Sequence, residues 1–256
     1  MQRTISAMVG KGSVNHNSRK FRAENVDGTR THLNIDYCNE NIKTVYHELF
    51  DEALERYNAK QIRSDRKIKD YYEKIRSSKQ EKPFHEIILQ VGGKGNMNAD
   101  TENGDLAKQV LNEYYQGFQE RNPQLRVFSA HLHMDEATPH LHIDFVPFTT
   151  GSKRGLDTRV SLKQALATQG FKGGSRGDTE WSQWVQSEKE QLAAVMERYG
   201  IEWEHKGTHE KHLSVLDYKK QEREKEVAVL GAKIEQKQVE LESLSNSCLL
   251  YTSDAA

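Results

Sequence analysis

The chain has 256 residues, with 37 Lys and Arg against 38 Asp and Glu, and its formal net charge is -1. This length allows one sizeable core plus an extension, while the near-neutral charge excludes a uniformly basic protein, so any DNA binding must come from local patches. No apolar run reaches about eighteen residues and residues 1–9 are too mixed for a secretory signal, so we expect a cytoplasmic protein. Cys38 and Cys248 do not make a disulfide framework.

Strand-like and helix-like segments alternate along the chain. Alternation and apolar runs predict strands over residues 2–9, 84–91 and 201–203. Helical spacing of apolar residues predicts helices over 44–60, 65–76, 105–119 and 180–199, the last capped by Asp178 or Thr179. The glycine-rich loop 92–104 lacks the Gly-Lys-Ser/Thr of a phosphate-binding loop. With the hairpin described next, these elements predict an α+β fold built on an antiparallel sheet.

The segment 133–142 contains an unusual concentration of imidazoles and carboxylates. Residues 126–133 and 140–146 alternate as strands do, so His140 and His142 share a face, and a tight turn folds His133 back toward them. Pro139 argues against a helix across this segment. Neutral imidazole is the commonest transition-metal ligand, so we predict a metal site formed by these three histidines. The alternative is a plain hairpin with surface or core histidines, and His131, on the same face as His133, is an ambiguous fourth imidazole.

Three ordered motifs carry a resemblance to a known family. The run His133-Met134-Asp135-Glu136-Ala137-Thr138-Pro139-His140-Leu141-His142 resembles the third motif of the Mob/Pre family, the MobV-type plasmid relaxases. Residues 14–21 resemble its His-Asn-x-Arg motif. Residues 30–37 resemble its second motif, from which Ile35 and Asp36 depart, and this departure puts a catalytic role for Asp36 in doubt. The resemblance covers about residues 1–210.

The resemblance implies a relaxase, HUH-like fold, a five-stranded antiparallel sheet with helices on its faces. It also implies a metal-dependent enzyme that nicks one strand of plasmid DNA at the transfer origin and forms a covalent 5′-phosphate intermediate, for mobilisation or recombination. His16 would be the nucleophile, Arg19 would hold a phosphate, and Glu136 would orient a ligand imidazole or accept a proton. The metal would be Mn²⁺ or Mg²⁺. Tyr37 and Tyr46 remain alternative nucleophiles.

Two other functions stay open at this stage. The first is a non-catalytic, sequence-specific DNA-binding or dimerisation protein whose hairpin holds a structural metal in a closed four-ligand site. The second is a metal-dependent hydrolase of small substrates, which leaves the His16 motif unexplained.

The sequence also offers a basic segment directly after the hairpin, between Gly151 and Gly177. Its cations face only Asp157 as a counter-charge in sequence, so we predict that it lies beside the metal site and contacts DNA phosphates. The predicted DNA-binding residues are Lys153, Arg154, Lys163, Lys172, Arg159 and Arg176. A second basic stretch, residues 56–82, is interleaved with acids and is typical of a solvated helix face.

Beyond residue 210 the chain changes character. Apolar residues recur at alternating three- and four-residue steps from Val227 to Leu244, which predicts a helical extension over 211–247. Lys237 occupies one seam position, and both a homodimeric coiled coil and a single docked helix fit the pattern. Residues 248–256 match the translation of a transposase-type sequencing adapter. We therefore expect the native chain to continue past Ser247 with other residues.

Overall fold

The computed structural model describes residues 1–205 and 215–253. The chain divides into two compact units, Met1–Lys206 and Gly207–Ala256. The predicted boundary between residues 210 and 211 lies outside the described residues, as do residues 254–256 of the predicted adapter segment.

The first unit mixes short and long elements of both kinds. Its strands are β1 (Gln2–Arg3), β2 (Ile5–Val9), β3 (Ile35–Asn39), β4 (His85–Val91), β5 (Leu125–His133), β6 (His140–Thr149), β7 (Arg159–Val160) and β8 (Glu202–Trp203). Its helices are α1 (Val14–Asn17), α2 (Ile42–Ala59), α3 (Tyr71–Arg76), α4 (Glu102–Gln116), α5 (Phe118–Arg121), α6 (Leu162–Thr168) and α7 (Glu180–Arg198).

A sheet with the strand order β2-β4-β6-β5-β3 organises this unit, and every neighbouring pair along it is antiparallel. The short strand β7 pairs with the end of β6, and β1 pairs in parallel with β8. The predicted α+β fold with an antiparallel sheet is confirmed.

The two faces of the sheet are packed differently. One face presents Leu141, Ile143 and Phe145 of β6 to a core shared with α4 and α7. The other face packs against α2 and α3 only where Phe128 and Val146 lie, toward the end of β6 that leads to β7. A register shift between Val127 and Ser129 accommodates Phe128 as a bulge, which bends β5 at this point. On β5 and β6, the part of this second face nearer the turn between them carries polar side chains.

Several elements sharpen or depart from the sequence-based expectation. The helix expected over 65–76 begins only at Tyr71, because the Asp70 side chain accepts a hydrogen bond from the backbone N–H of Glu73 and caps it there. Strand β3 and helix α6 were not predicted. The helix expected over 180–199 is α7, and Thr179 rather than Asp178 is its N-cap.

The second unit contains helix α8 (Val215–Ser253). The predicted helical extension is therefore present, and the apolar residues described on its seam are all exposed: Val227, Leu230, Ile234, Leu241 and Leu244. Lys237 pairs with Glu240 on the same helix. Whether the seam forms a coiled coil stays a prediction. Among the described residues, no helix combines the length and apolar character needed to span a bilayer.

Candidate active site

The turn between β5 and β6 gathers the predicted imidazoles on the polar face of the sheet. Antiparallel pairing sets His133 opposite His140, and His131 opposite His142. The ring centroids of His133 and His142 lie 4.7 Å apart, those of His140 and His142 4.9 Å apart, and those of His133 and His140 5.1 Å apart. Strand parity and the turn at Pro139 thus bring the three rings together.

Each of these rings has one nitrogen already bonded to a protein oxygen. The pairs are His133 Nε2 with Asn17 O at 2.8 Å, His140 Nδ1 with Thr138 O at 2.8 Å, and His142 Nδ1 with Glu86 Oε1 at 2.6 Å. Because carbonyl and carboxylate oxygens only accept, these nitrogens carry the protons, and in a neutral ring the other nitrogen carries the lone pair.

The remaining lone pairs point at one another or have no partner. His133 Nδ1 lies 3.3 Å from His140 Nε2, which leaves two acceptors facing each other without a proton between them. His142 Nε2 is buried and has no hydrogen-bond partner. Two nitrogens bound to one ion at roughly 2.0–2.3 Å are expected about 3 to 4 Å apart. A divalent cation bound between His133 Nδ1 and His140 Nε2 would resolve their facing lone pairs, and the unpartnered His142 Nε2 is a third candidate ligand.

Donor atoms within 4.8 Å of one another form two overlapping sets, His16 with His133 and His142, and His133 with Glu136 and His140. The three predicted ligands do not form one such set together. His133 and His140 share the second set, and His133 and His142 share the first. The cluster is reached from solvent through partly exposed side chains, since His16 is 21% exposed, Glu136 14% and His140 12%.

Burial keeps two of the candidate ligands neutral. Burial lowers the pKa of His133 well below its usual range, and the neighbouring His142 and His140 lower it further. Burial also lowers the pKa of His142 to about 4, although the hydrogen bond to Glu86 opposes this change. Neutral imidazoles are the form that binds a metal, so the site is suited to hold one below neutral pH.

The predicted nucleophile lies on the short helix α1, beside the cluster. The His16 ring centroid is 6.0 Å from that of His133 and 6.2 Å from that of His142. Glu86 anchors the segment, because its carboxylate accepts hydrogen bonds from Gly12 N at 2.7 Å and from Asn17 Nδ2 at 2.8 Å.

Glycine is required where the segment passes over this carboxylate. A Cβ atom added at Gly10 would lie 1.8 Å from Glu86 Oε2, so any larger residue would displace the carboxylate. Gly12 has a φ of +71° and faces the Phe84 ring, where a Cβ atom would lie at 2.8 Å. Glycine at these two positions therefore lets the segment before His16 pack closely against the side chains of Glu86 and Phe84.

Arg19 connects the nucleophile segment to the turn of the hairpin. It is the non-glycine residue with a positive φ, 55°, among the described residues. Its Nε donates to Asp135 Oδ2 at 3.0 Å, and its Nη2 donates to Glu136 Oε1 at 2.9 Å. Its Nη1 donates to His16 O at 3.1 Å and lies 3.3 Å from His16 Nε2. Only the Nη1 edge of Arg19 thus faces the place where a phosphate would meet His16.

Glu136 lies closer to His16 than to the candidate ligands. Its Oε1 is 3.3 Å from His16 Nε2, against 3.8 Å from His140 Nε2 and 3.9 Å from His133 Nδ1. Burial alone would raise the pKa of Glu136, but its hydrogen bond with His16 and the electrostatic attraction of the neighbouring Arg19 guanidinium help to outweigh burial and lower the pKa. An ionised carboxylate with a low pKa is a weak base, so its position suits it to stabilise positive charge on His16.

The fourth imidazole and both tyrosines are engaged elsewhere. His131 Nδ1 pairs with Asp36 Oδ1 at 2.6 Å, and its Nε2 lies 3.2 Å from Ser129 Oγ. The Tyr37 hydroxyl donates to Asn112 Oδ1 at 2.8 Å, and the Tyr46 hydroxyl donates to Pro83 O at 2.7 Å. Burial raises the pKa of both tyrosines, which makes the phenolate harder to form.

The predicted position of the basic segment beside the imidazoles is wrong for its strand β7, which contains Arg159. Arg159 pairs with Thr149, the last residue of β6, whereas the imidazoles lie at the first. Nine steps along a strand at about 3.3 Å per residue separate these ends by about 30 Å. In a hairpin, the chain that follows the second strand leaves at the end opposite the turn.

The basic residues of this segment are also partly neutralised. Arg159 Nη1 lies 3.4 Å from Glu81 Oε1, and Lys163 Nζ lies 3.6 Å from Glu180 Oε1. Both acids lie outside the Gly151–Gly177 segment in sequence. The other four predicted residues are exposed: Lys153, Arg154, Lys172 and Arg176. In the second basic stretch, Arg56, Arg63 and Arg76 have acidic partners, as a solvated helix face would.

The sequence analysis missed Glu86, Asp144 and the role of Asn17. Asn17 Nδ2 also donates to Asp144 Oδ2 at 3.0 Å, and burial together with Glu86 raises the pKa of Asp144 to about 7. Asp144 has the strand parity of His140 and His142, which could have identified it. Glu86 is the one acid in strand β4, which also contains His85 and Gln90, so its residue type alone does not identify its contact with His142.

The fold and site define a class of protein: an antiparallel-sheet α+β domain whose central hairpin presents a candidate three-histidine metal site to a further histidine on a short helix. Comparison with known sequences gives the family. A family model described as plasmid recombination enzyme, Mob_Pre, matches residues 13–220. The chain belongs to this family, as its three motifs indicated.

Individual relatives are more distant and longer. A plasmid recombination enzyme of a Bacillus species is 26% identical over 242 residues, covering 92% of this chain and 49% of the relative. A type 3 plasmid recombination enzyme of Staphylococcus aureus is 28% identical over 158 residues, covering 60% of this chain and 33% of the relative. The chain thus spans about half or less of the length of these relatives.

Solved structures with a similar fold include the relaxase domain of MobM. One, described as Mn-bound at pH 4.6 with plasmid pMV158 oriT DNA, has a TM-score of 0.52 and 20% identity, covering 85% of this chain and 99% of that chain. Another, at pH 5.5, has a TM-score of 0.50 and 20% identity, covering 85% of this chain and 98% of that chain. The likeness establishes the fold.

Proposed function

We propose that this chain is a metal-dependent relaxase, a DNA strand transferase that nicks one strand at a plasmid transfer origin for mobilisation or recombination. His16 would attack the phosphorus and retain the 5′ phosphate covalently. The observation that carries the proposal is the cluster of three imidazoles beside His16, in which His133 and His140 have facing lone pairs and His142 has an unpartnered nitrogen. Membership of the plasmid recombination enzyme family supports it. We assign this activity to residues 1–210, since the compact unit ends at Lys206.

The chemistry can be divided among the residues of the site. A divalent ion, Mn²⁺ or Mg²⁺, held by His133, His140 and His142 would neutralise charge on the non-bridging phosphate oxygens. The Mn-bound MobM domain supports this choice. A ring nitrogen of His16 forms the bond to phosphorus as the bond from phosphorus to the 3′ oxygen breaks, and the 3′ oxygen leaves as a hydroxyl after taking a proton from water.

Glu136 and Arg19 act on that step from two sides. The Glu136 carboxylate, 3.3 Å from His16 Nε2, stabilises the positive charge that develops on the ring. The Nη1 edge of Arg19 lies beside the same nitrogen and is placed to contact the reacting phosphate. Asp135 holds the guanidinium in this orientation through Nε.

The second candidate function is a DNA-binding protein with a structural metal. The set His133, Glu136 and His140, with donor atoms all within 4.8 Å, favours it, because Glu136 could close the site as a further ligand. A closed site would leave no position for a phosphate. The basic segment from Gly151 to Gly177 remains a candidate for contacts with DNA away from the reacting phosphate under either function.

The test compares His16→Ala with Tyr37→Phe and Tyr46→Phe on a supercoiled plasmid that carries the candidate origin, in Mn²⁺ and in EDTA. We expect Mn²⁺-dependent nicking and an acid-labile protein–DNA adduct, both lost only in His16→Ala. His47→Ala is the matched control, since His47 is a 70% exposed histidine on α2. An adduct that persists in His16→Ala would contradict the assignment, and binding without any nicking would favour the second function.

A further inference from the structure

Phe21 is an exposed aromatic side chain close to the candidate nucleophile. Its side chain is 60% exposed, and its ring contacts no other aromatic ring in the part of the chain that the structure describes. Lys20 and Arg22 on either side are also exposed. Within the described ranges 1–205 and 215–253, neither cation has a hydrogen-bond or ion-pair partner. An isolated exposed apolar residue needs no explanation, but an aromatic ring between two free cations has the composition of a nucleic-acid contact.

The backbone fixes this aromatic residue beside the site. Phe21 N donates to Asn15 O at 2.8 Å, so it is tied to the residue that precedes His16. The left-handed backbone at Arg19, with φ 55°, turns the chain between His16 and Phe21. Because the Arg19 side chain is held by Asp135 and Glu136, the turn is anchored to the hairpin as well as to α1.

A cleft adjoins the same surface. It has a volume of about 610 Å³ and is lined by Lys20 together with Gly12, Ser13, Asn15 and residues at the beginning of α2. Lys20 therefore lines a cleft beside the His16 segment, and Phe21 and Arg22 follow Lys20 directly in the chain. The Gly151–Gly177 segment begins at the opposite end of β6 and does not contribute to this surface.

We propose that Phe21 is a stacking platform for a nucleobase of the single strand whose phosphate meets His16, with Lys20 and Arg22 contacting neighbouring phosphates. The proposal rests on the proposed function, because it takes DNA as the substrate of this site. A single strand matches the surface in both respects, since every base has an apolar face that stacks on an aromatic ring and the backbone is a polyanion. A second copy of the chain, at a net charge of -1, has no such complementarity to two cations.

The experiment measures binding of a short fluorescein-labelled single strand by anisotropy in EDTA, where no cleavage occurs. Stacking on one aromatic side chain is worth about 1–3 kcal/mol, so Phe21→Ala should weaken binding roughly 5- to 150-fold. Phe21→Tyr and Phe21→Trp should restore it. The matched control is Ile62→Ala, which removes another fully exposed apolar side chain, 101% exposed and outside this surface, and should change nothing.

Two further measurements separate stacking from charge. Phe21→Ala should leave the dependence of affinity on salt unchanged, whereas Lys20→Ala should lower the slope of log affinity against log salt by about 1. 2-Aminopurine placed along the strand should be quenched at one position by the unaltered protein and not by Phe21→Ala.

Affinity within twofold of the unaltered protein for Phe21→Ala would overturn the proposal, as would an equal loss in Ile62→Ala. Concentration-dependent self-association that is lost only in Phe21→Ala would assign the ring to a second copy and would also overturn it. These outcomes are independent of the covalent adduct at His16, so the stacking proposal can fail while the proposed function stands.

Discussion

Alternate residues of strand β6 point to opposite faces of the sheet, and the two faces have different roles. Leu141, Ile143 and Phe145 are completely buried in the apolar core with α4 and α7. His140 precedes Leu141, and His142 lies between Leu141 and Ile143. Both histidines are on the other side of the sheet, where His142 faces the His16 segment. The two-residue period of a strand therefore separates the residues that stabilise the fold from those that carry the chemistry.

The comparison extends to two buried glutamates. Glu86 lies on the polar face and accepts from His142, Gly12 and Asn17. Glu188 of α7 lies on the apolar side and bonds with Tyr114 and Arg121. Each carboxylate is 3% exposed. Their equal burial and unequal surroundings allow stability and metal binding to be tested separately.

The largest effect is expected on the apolar face. Phe145→Ala should lower the free energy of unfolding by about 3–5 kcal/mol, because it leaves a cavity against Trp184 at a site that cannot readily collapse. Denaturant titration measures the loss, and Mn²⁺ affinity of the folded variant should not change. A loss below about 1 kcal/mol, or a tenfold change in Mn²⁺ affinity, would contradict the claim that the apolar face determines stability and not metal binding.

The next effect is expected on the polar face. Glu86→Gln should weaken Mn²⁺ binding about 10- to 100-fold, because Glu86 fixes the proton on His142 Nδ1 and so directs Nε2 toward the ion. Isothermal titration calorimetry measures this affinity. Glu188→Gln is the matched control and should lower stability without changing Mn²⁺ affinity. Equal losses of Mn²⁺ affinity in both variants would show that general destabilisation, rather than the face, is responsible.

A smaller effect is expected at His85, a half-buried histidine outside the candidate metal site. His85 lies against Phe145 and Trp181, and burial, together with Lys82, lowers its pKa to about 4. The unfolded chain, with a pKa near 6.5, binds the proton first as pH falls, so stability decreases between about pH 6.5 and 4, by about 2 kcal/mol at pH 5. His85→Phe should remove that part of the pH dependence in denaturant titrations. An unchanged slope would contradict the assignment.

Much of the site could be predicted because it is local in sequence. Alternation and Pro139 identify the hairpin, and the hairpin alone brings His133 to His140. Glu86 could not be predicted in the same way, since its contact with His142 depends on the pairing of β4 with β6, which joins residues far apart in the chain.

For the basic segment, closeness in sequence was misleading. Sequence adjacency to the hairpin suggested proximity to its turn, but Arg159 follows the end of β6 that lies farthest from the turn. Strand β3 was missed because Asp36 and Asn39 are residue types that strands disfavour, and a register shift between Asp36 and Cys38 interrupts its alternation.

The central claim is that His16 becomes covalently joined to DNA. The most direct measurement is mass spectrometry of the adduct formed with Mn²⁺, after nuclease and protease digestion at a pH that preserves phosphoramidates. We predict a nucleotide-bearing peptide whose fragments place the 5′ phosphate on His16. A phosphate on Tyr37, Tyr46 or any other residue would contradict the account.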